Sequence, residues 1–143
     1  CLAYKLQNGK YGSALVIDEE ENTEFGSNTL VISDLEQEKK PTINDLKKAN
    51  VKYYRYNNQN EENYFPYITH VWAKHFAEDT KDMGITVIGK LKIINNNVFV
   101  EGMIRWTSLS RSNDSNSYEI KNRLKISDFI EKTNIIEKIK NWL

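Results

Sequence analysis

Histidine is the side chain best suited to proton transfer near neutral pH, and this chain has two, His70 and His75. A spacing of five residues sets them about 140° apart on a helix and on opposite faces of a strand. Neither arrangement is the i, i+4 pair that chelates a metal on one helical face. Asp79 and Asp82 follow closely and are candidates for further ligands. A hydrolase built on His70 is therefore one functional reading; the plainer one is a pair of surface or hydrogen-bonded histidines. Cys1 has no base beside it to form a thiolate. Ser108, Ser110, Ser112, Ser115 and Ser117 stand in no nucleophile-elbow pattern. There is neither a Walker phosphate loop nor a GxGxxG turn. Glu101 has an assigned structural partner in Lys90. The expectation is a protein with no catalytic residues, no metal and no cofactor.

Binding chemistry is better represented. Lys52, Tyr53, Tyr54, Arg55 and Tyr56 interleave cations with aromatic rings. On a strand Lys52, Tyr54 and Tyr56 share one face, with Tyr53 and Arg55 on the other. Single-stranded nucleic acid is bound by this combination, with rings stacking bases and cations meeting phosphates. Lys52, Tyr54, Arg55 and Tyr56 are thus the candidates for a nucleic-acid platform, against the plainer reading of tyrosines pairing across strands. The opposite charge gathers at Asp18–Glu24, which includes Glu19, Glu20 and Glu21 but lacks the spacing of a calcium loop. A negative rim of this kind steers a basic partner into contact. Tyr64, Phe65, Tyr67 and Trp72 are candidate anchors beside it, because Trp and Tyr dominate interface hot spots. Trp106 is a further aromatic that serves as anchor or core.

These groups need a scaffold, and the most legible one is Ile85–Trp106. A two-residue loop at Asn95-Asn96 sets Leu91 opposite Val100, Gly89 opposite Gly102, Lys90 opposite Glu101 and Thr86 opposite Arg105. A slip of one residue moves the apolar set off the core face. Asn8-Gly9 signals a second hairpin with a type I′ turn, pairing Leu6 with Tyr11, Tyr4 with Ser13, Ala3 with Ala14 and Leu2 with Leu15. Glu19–Ser27 reads as an acidic loop. Asn28–Ser33 reads as a central strand, because its apolar run is nearly continuous. Pro41-Thr42 opens a short helix over Ile43–Ala49. Val51–Tyr56 reads as a strand and Asn57–Tyr64 as a polar loop. Phe65–Phe76 fits a strand with Ile68, His70 and Trp72 on one face, or a helix; Pro66 and the β-branched residues favour the strand. Ser127 caps a C-terminal helix with Phe129, Ile136, Ile139 and Leu143 near one stripe. The expected class is α+β: a strongly twisted antiparallel sheet or small open β-barrel, with a short internal helix and a C-terminal helix.

The 143 residues make one ordinary domain, 1–143. With 39% hydrophobic and 28% charged residues, and no run long enough to span a bilayer, the chain fits a soluble globular protein. Twenty basic and twenty acidic residues cancel, so any electrostatic function rests on local asymmetry. Residues 1–36 carry a net of about −5 and residues 37–56 about +4. A single cysteine suits a reducing compartment and a cytoplasmic location. Because Cys1 stands first, as in a mature bacterial lipoprotein, anchoring through Cys1 is the alternative.

The opening Tyr4–Val16, with its polar strand, Asn8-Gly9-Lys10-Tyr11-Gly12 turn and apolar strand, resembles the start of small β-rich immunity proteins of bacterial polymorphic toxin systems. The resemblance covers about one tenth of the chain and implies a cytoplasmic protein that binds and neutralises a toxin without catalysis. It places no functional residues. The leading expectation is a non-enzymatic protein-binding module, with a basic toxin domain as partner and no membrane. A single-stranded nucleic-acid-binding β-barrel is the alternative.

Overall fold

The computed structural model describes residues 1–20, 27–58, 61–72, 76–94, 100, 103–110 and 122–131. The class is α+β. Six strands form one mostly antiparallel sheet: β1 (Leu2–Lys5), β2 (Tyr11–Glu20), β3 (Ser27–Ile32), β6 (Ile68–Trp72), β7 (Thr86–Val87) and β8 (Met103–Ile104). Their order is β7-β1-β2-β3-β6-β8. The sheet is open, with β7 and β8 at opposite edges. Strands β4 (Tyr53–Asn58) and β5 (Glu61–Pro66) form a separate two-stranded ribbon. Among the described residues there are also two short α-helices, α1 (Ile43–Lys48) and α2 (Phe76–Asp79), and 3₁₀ turns at Trp106–Ser110 and Ile126–Phe129.

Apolar residues cover both faces of the sheet. On one face Leu15, Ile17, Val31 and Ile68 pack with Leu46, Ala49, Val51, Ile126 and Phe129. On the other, Ala14, Leu30, Ile32 and Val71 pack with Met83, Trp106 and Leu109. A strand buried on both faces reads as a continuous apolar run instead of an alternation, which is why Ala14–Ile17 and Leu30–Ile32 look as they do. The central position expected for Asn28–Ser33 is correct: β3 lies between β2 and β6. Helix α1 begins where expected. Thr42 Oγ1 accepts from the Asp45 N–H, and the Asp45 carboxylate accepts from the Thr42 N–H, a reciprocal cap.

Several sequence expectations are corrected. Among the described residues, the two arms of the expected Ile85–Trp106 hairpin do not pair with each other. Thr86 and Val87 pair antiparallel with β1, whereas Met103 and Ile104 pair in parallel with β6. Leu91, Ile93 and Val100 pack on the α1 side of the sheet, and Ile93 bridges Ile130. Local alternation fixed a plausible register here, yet the edges of β1 and β6 offered longer-range backbone partners. Arg105 binds Asp79, not Thr86, through bonds of 2.6 and 3.2 Å. Asn95, Asn96, Glu101 and Gly102 lie outside the described residues, so the Lys90–Glu101 and Gly89–Gly102 pairs do too.

The first hairpin forms, but one residue out of register: Leu2 faces Ala14, Ala3 faces Ser13 and Tyr4 faces Gly12. The Leu6 N–H donates to the Lys10 carbonyl at 2.8 Å, leaving a three-residue loop. Only Gly9 adopts positive φ, at 84°, and Asn8 does not. A type I′ turn needs both residues there; one left-handed glycine suits the longer loop. The small Gly12 also accommodates Tyr4, whose ring carbon would lie 3.0 Å from an added Cβ.

The expected loops at 19–27 and 57–64 are shortened by strands. β2 continues through Glu20, opposite Ser27, and β4 and β5 pair from Tyr53–Pro66 to Asn58–Glu61. Backbone pairing there outweighs the polar side chains. The 66–76 ambiguity resolves in favour of a strand over Ile68–Trp72. The C-terminal helix does not start at Ser127. Instead Ile126–Phe129 is a single 3₁₀ turn, and Ile130 returns to extended backbone at φ −119°. The Asp128 carboxylate accepts from the Lys125 N–H at 2.8 Å, fixing the start of this turn two residues early. Ile136, Ile139 and Leu143 lie outside the described residues.

Candidate functional site

The sheet register assembles one candidate site. β2, β3 and β6 run side by side, so Glu20, Ser27 and Trp72 fall in one cross-strand row. Glu19, Asn28 and Val71 form the next row, and Asp18, Thr29 and His70 the third. Two inter-strand steps separate Glu20 from Trp72, about 10 Å. The acidic end of β2 and the Trp72 anchor, read separately from the sequence, therefore meet at one end of the sheet. Glu21 and Glu24 lie outside the described residues.

Trp72 is 41% exposed and Phe76, at the start of α2, is 43% exposed. Trp106 lies behind them. Its indole N–H donates to the Trp72 carbonyl at 3.0 Å, and its ring meets Phe76 edge to face at 5.0 Å between centroids. The buried indole thus fixes the Trp72 backbone and backs the Phe76 ring. Asp79, at the other end of α2, has a buried carboxylate clamped by both bonds from Arg105. This bidentate pair ties α2 to the residue that follows β8. Phe76 was not singled out in the sequence. Its only signal was its place beside the ambiguous 66–76 stretch.

His70 is half-buried, and its Nδ1 lies 2.9 Å from the Thr29 hydroxyl. It thus has the hydrogen-bonded setting that the plainer reading expected. No group of three or more potential metal ligands occurs among the described residues. His75 lies outside them.

The second assembly is the ribbon. Tyr54 faces Phe65 across the ladder, with ring centroids 6.0 Å apart, and meets Tyr67 edge to face at 5.4 Å. These three rings came from two different sequence readings, and the fold unites them. Tyr54 and Tyr67 wall a pocket of about 260 Å³, floored by Ile68, Thr69 and Ile104. In the ladder Arg55 stands opposite Tyr64 and Tyr56 opposite Asn63. The ribbon is anchored at its base. Tyr67 N–H donates to the Lys52 carbonyl at 2.7 Å, and Lys52 N–H donates to the Ile32 carbonyl at 2.8 Å. Leu124 N–H donates to the Tyr53 hydroxyl at 3.0 Å.

Lys52 is not at the tip of this platform but at its root. Its ammonium lies 6.0 Å from the Tyr67 ring centroid. It also borders a narrow polar recess with Tyr4, Ser33, Asp34 and Glu36. Burial pushes the ammonium down to about 8 from the ordinary 10.5, with Glu36 opposing. Burial pushes the Tyr4 hydroxyl up, above the ordinary 10.0. These shifts act in sequence on stability. Between 8 and 10.5 the unfolded chain holds a proton that folded Lys52 has lost, so stability rises with pH. Above about 10 the unfolded chain ionises Tyr4 first, so stability falls. Urea midpoints should therefore peak at a pH a little above 10, between the ordinary values of 10.0 for tyrosine and 10.5 for lysine, and Lys52→Met should remove the rise but leave the fall. A native profile flat through this range would contradict the burial of the ammonium.

No helix among the described residues is long and apolar enough to cross a membrane. No protein-family model, curated protein or solved structure matches the chain.

Proposed function

We propose that the protein is a non-enzymatic binding module for a basic protein partner, of the toxin-neutralising kind that its opening hairpin resembles. The observation that carries this reading is the register that places Glu20 two strands from Trp72, with Glu19 in the neighbouring row. Carboxylates accelerate encounter with a cationic surface, and exposed rings supply contact area and cation–π faces. The Phe76 ring is already backed by Trp106, so little of its side-chain freedom is lost on binding.

The test begins with a pull-down by the whole chain, which must retain a protein with a basic surface. On-rates to that partner are then measured against salt. Glu19→Lys with Glu20→Lys is expected to slow association by about tenfold at low salt and to flatten its salt dependence. Trp72→Ala is expected to act on the off-rate, weakening affinity by about thirtyfold. An on-rate indifferent to the charge reversal would remove this surface from the reading.

A second reading is supported by the ribbon. The Tyr54, Phe65 and Tyr67 cluster, with Arg55 and Tyr56 on the same strand and Lys52 at its root, has the residue types that stack and neutralise single-stranded nucleic acid. Titration with labelled oligonucleotides at low salt distinguishes the two. Saturable binding lost in Tyr54→Ala would favour the nucleic-acid reading.

A further inference from the structure

A further cleft lies away from the acidic row's aromatic end. It has a volume of about 410 Å³ and sits where the start of β1 and the end of β7 meet β2. That volume falls in the range of small-molecule sites, about 300–1,000 Å³. Its apolar wall is built by Leu2, Leu15, Val16, Ile17, Val87 and Leu91. Two charged side chains line it, those of Asp18 and Lys90.

Three features shape this cleft. Val16 opposes Leu30 and Asp18 opposes Thr29, so Ile17 is the extra residue of a β-bulge. Bulges bend a strand and re-aim its side chains, and this one brings Asp18 to the wall. Gly89 has a φ of 150°, and a Cβ there would lie 2.6 Å from Ile43 Cδ1. Only glycine lets the chain pass so close to α1. Finally, the Cys1 nitrogen donates to the Gly89 carbonyl at 2.8 Å, joining the two rims.

The charges are the informative part. Both side chains are exposed. Among the described residues neither Asp18 nor Lys90 makes a hydrogen bond or ion pair, with the other or with any neighbour. Among the described residues, one cleft thus holds an aliphatic wall, a carboxylate and an ammonium that do not pair with each other. A fatty acid would satisfy Lys90 but meet Asp18 with like charge. An alkyl amine would do the reverse. A molecule that carries both charges on one aliphatic body satisfies the whole lining.

We infer that this cleft binds a small aliphatic zwitterion of the branched-chain amino-acid type. Asp18 receives its ammonium, Lys90 its carboxylate, and Leu15, Ile17 and Leu91 its hydrocarbon. This inference does not depend on the protein-partner reading. Exposed charges contribute modestly, so affinity is expected near the millimolar range, about 1 mM.

The test is a ¹⁵N-resolved NMR titration of the whole chain with L-leucine. Saturable movement is expected for the amides of Ile17, Asp18, Val87 and Leu91. L-leucinamide, which lacks the carboxylate, and N-acetyl-L-leucine, which lacks the ammonium, should each bind about five- to tenfold more weakly. Octanoate should not compete. Asp18→Asn should bring leucine down to the affinity of N-acetyl-leucine, and Lys90→Gln to that of leucinamide. Val87 is 70% exposed, so Val87→Trp fills the cleft without entering the core and should abolish the shifts. No saturable movement with leucine up to about 10 mM would overturn the inference. Equal binding of leucine and octanoate would overturn it as well, because the two-charge requirement would be absent.

Discussion

Replacing Trp106 with alanine is expected to lower folding stability by about 3–5 kcal/mol. Trp106 is 2% exposed and is the largest side chain in the layer opposite α1. Its removal leaves a cavity beneath Met83, Leu109 and Val71, and it also strips the Trp72 carbonyl of its indole donor. Cavity and lost hydrogen bond act together, so the loss should lie in the upper half of that range. Equilibrium urea unfolding measures it as a lower midpoint with an unchanged slope. Trp106→Phe keeps most of the volume and loses the donor, so it should fall between the two. Because Trp106 supports Phe76 and Trp72, the phenylalanine variant should also weaken partner binding while remaining folded. A variant that loses stability but keeps full affinity would show that the two exposed rings need no such support.

Phe129→Ala is the matching experiment on the other face, with an expected loss of about 3–5 kcal/mol. Phe129 is 1% exposed and packs with Leu46, Val51 and Ile126. The backbone around it is also shared. Ile126 N–H donates to the Ala49 carbonyl, and Ile94 N–H donates to the Phe129 carbonyl, at 3.1 and 3.0 Å. The 3₁₀ turn is therefore a keystone between α1 and the chain that follows β7. The sheet separates Phe129 from Trp106, and the two belong to different packing layers. Milder substitutions at the two sites, Phe129→Leu and Trp106→Phe, should therefore add within about 0.5 kcal/mol. A larger coupling would mean that the sheet transmits strain between its faces.

What the sequence disclosed depended on how far apart the interacting residues lie. The capped helix at Ile43 was legible because Thr42 and Asp45 are three residues apart and satisfy each other. The strand at Asn28–Ser33 was legible because burial on both faces writes a continuous apolar run. The first hairpin was legible as a hairpin but not in register, because Asn-Gly serves two loop lengths and only the fold selects between them. The 85–106 stretch misled for a stronger reason. Its alternation satisfied every local rule for a hairpin, and nothing local encodes that β1 and β6 have open edges waiting for it. The same distinction holds for the candidate sites. The charges and rings of the acidic row were identified individually, but their meeting needs the β2–β3–β6 register. The cleft was invisible, because its lining comes from residues 1–2, 15–18 and 87–91.

The placement of β7 and β8 also has a kinetic consequence. β1, β2 and β3 follow one another in the chain and pair in order, so their loops close early. The edge strands cannot begin until β1 and β6 are in place, and each joins through a long chain closure. Long closures slow folding, so docking of the two edges should be the last event. The amino-acid-sized cleft depends on one of those edges and would come into being only at that final step. By the same logic it lies in the part of the molecule that opens first when the native state fluctuates, and bound leucine should slow hydrogen exchange there before it does so anywhere else.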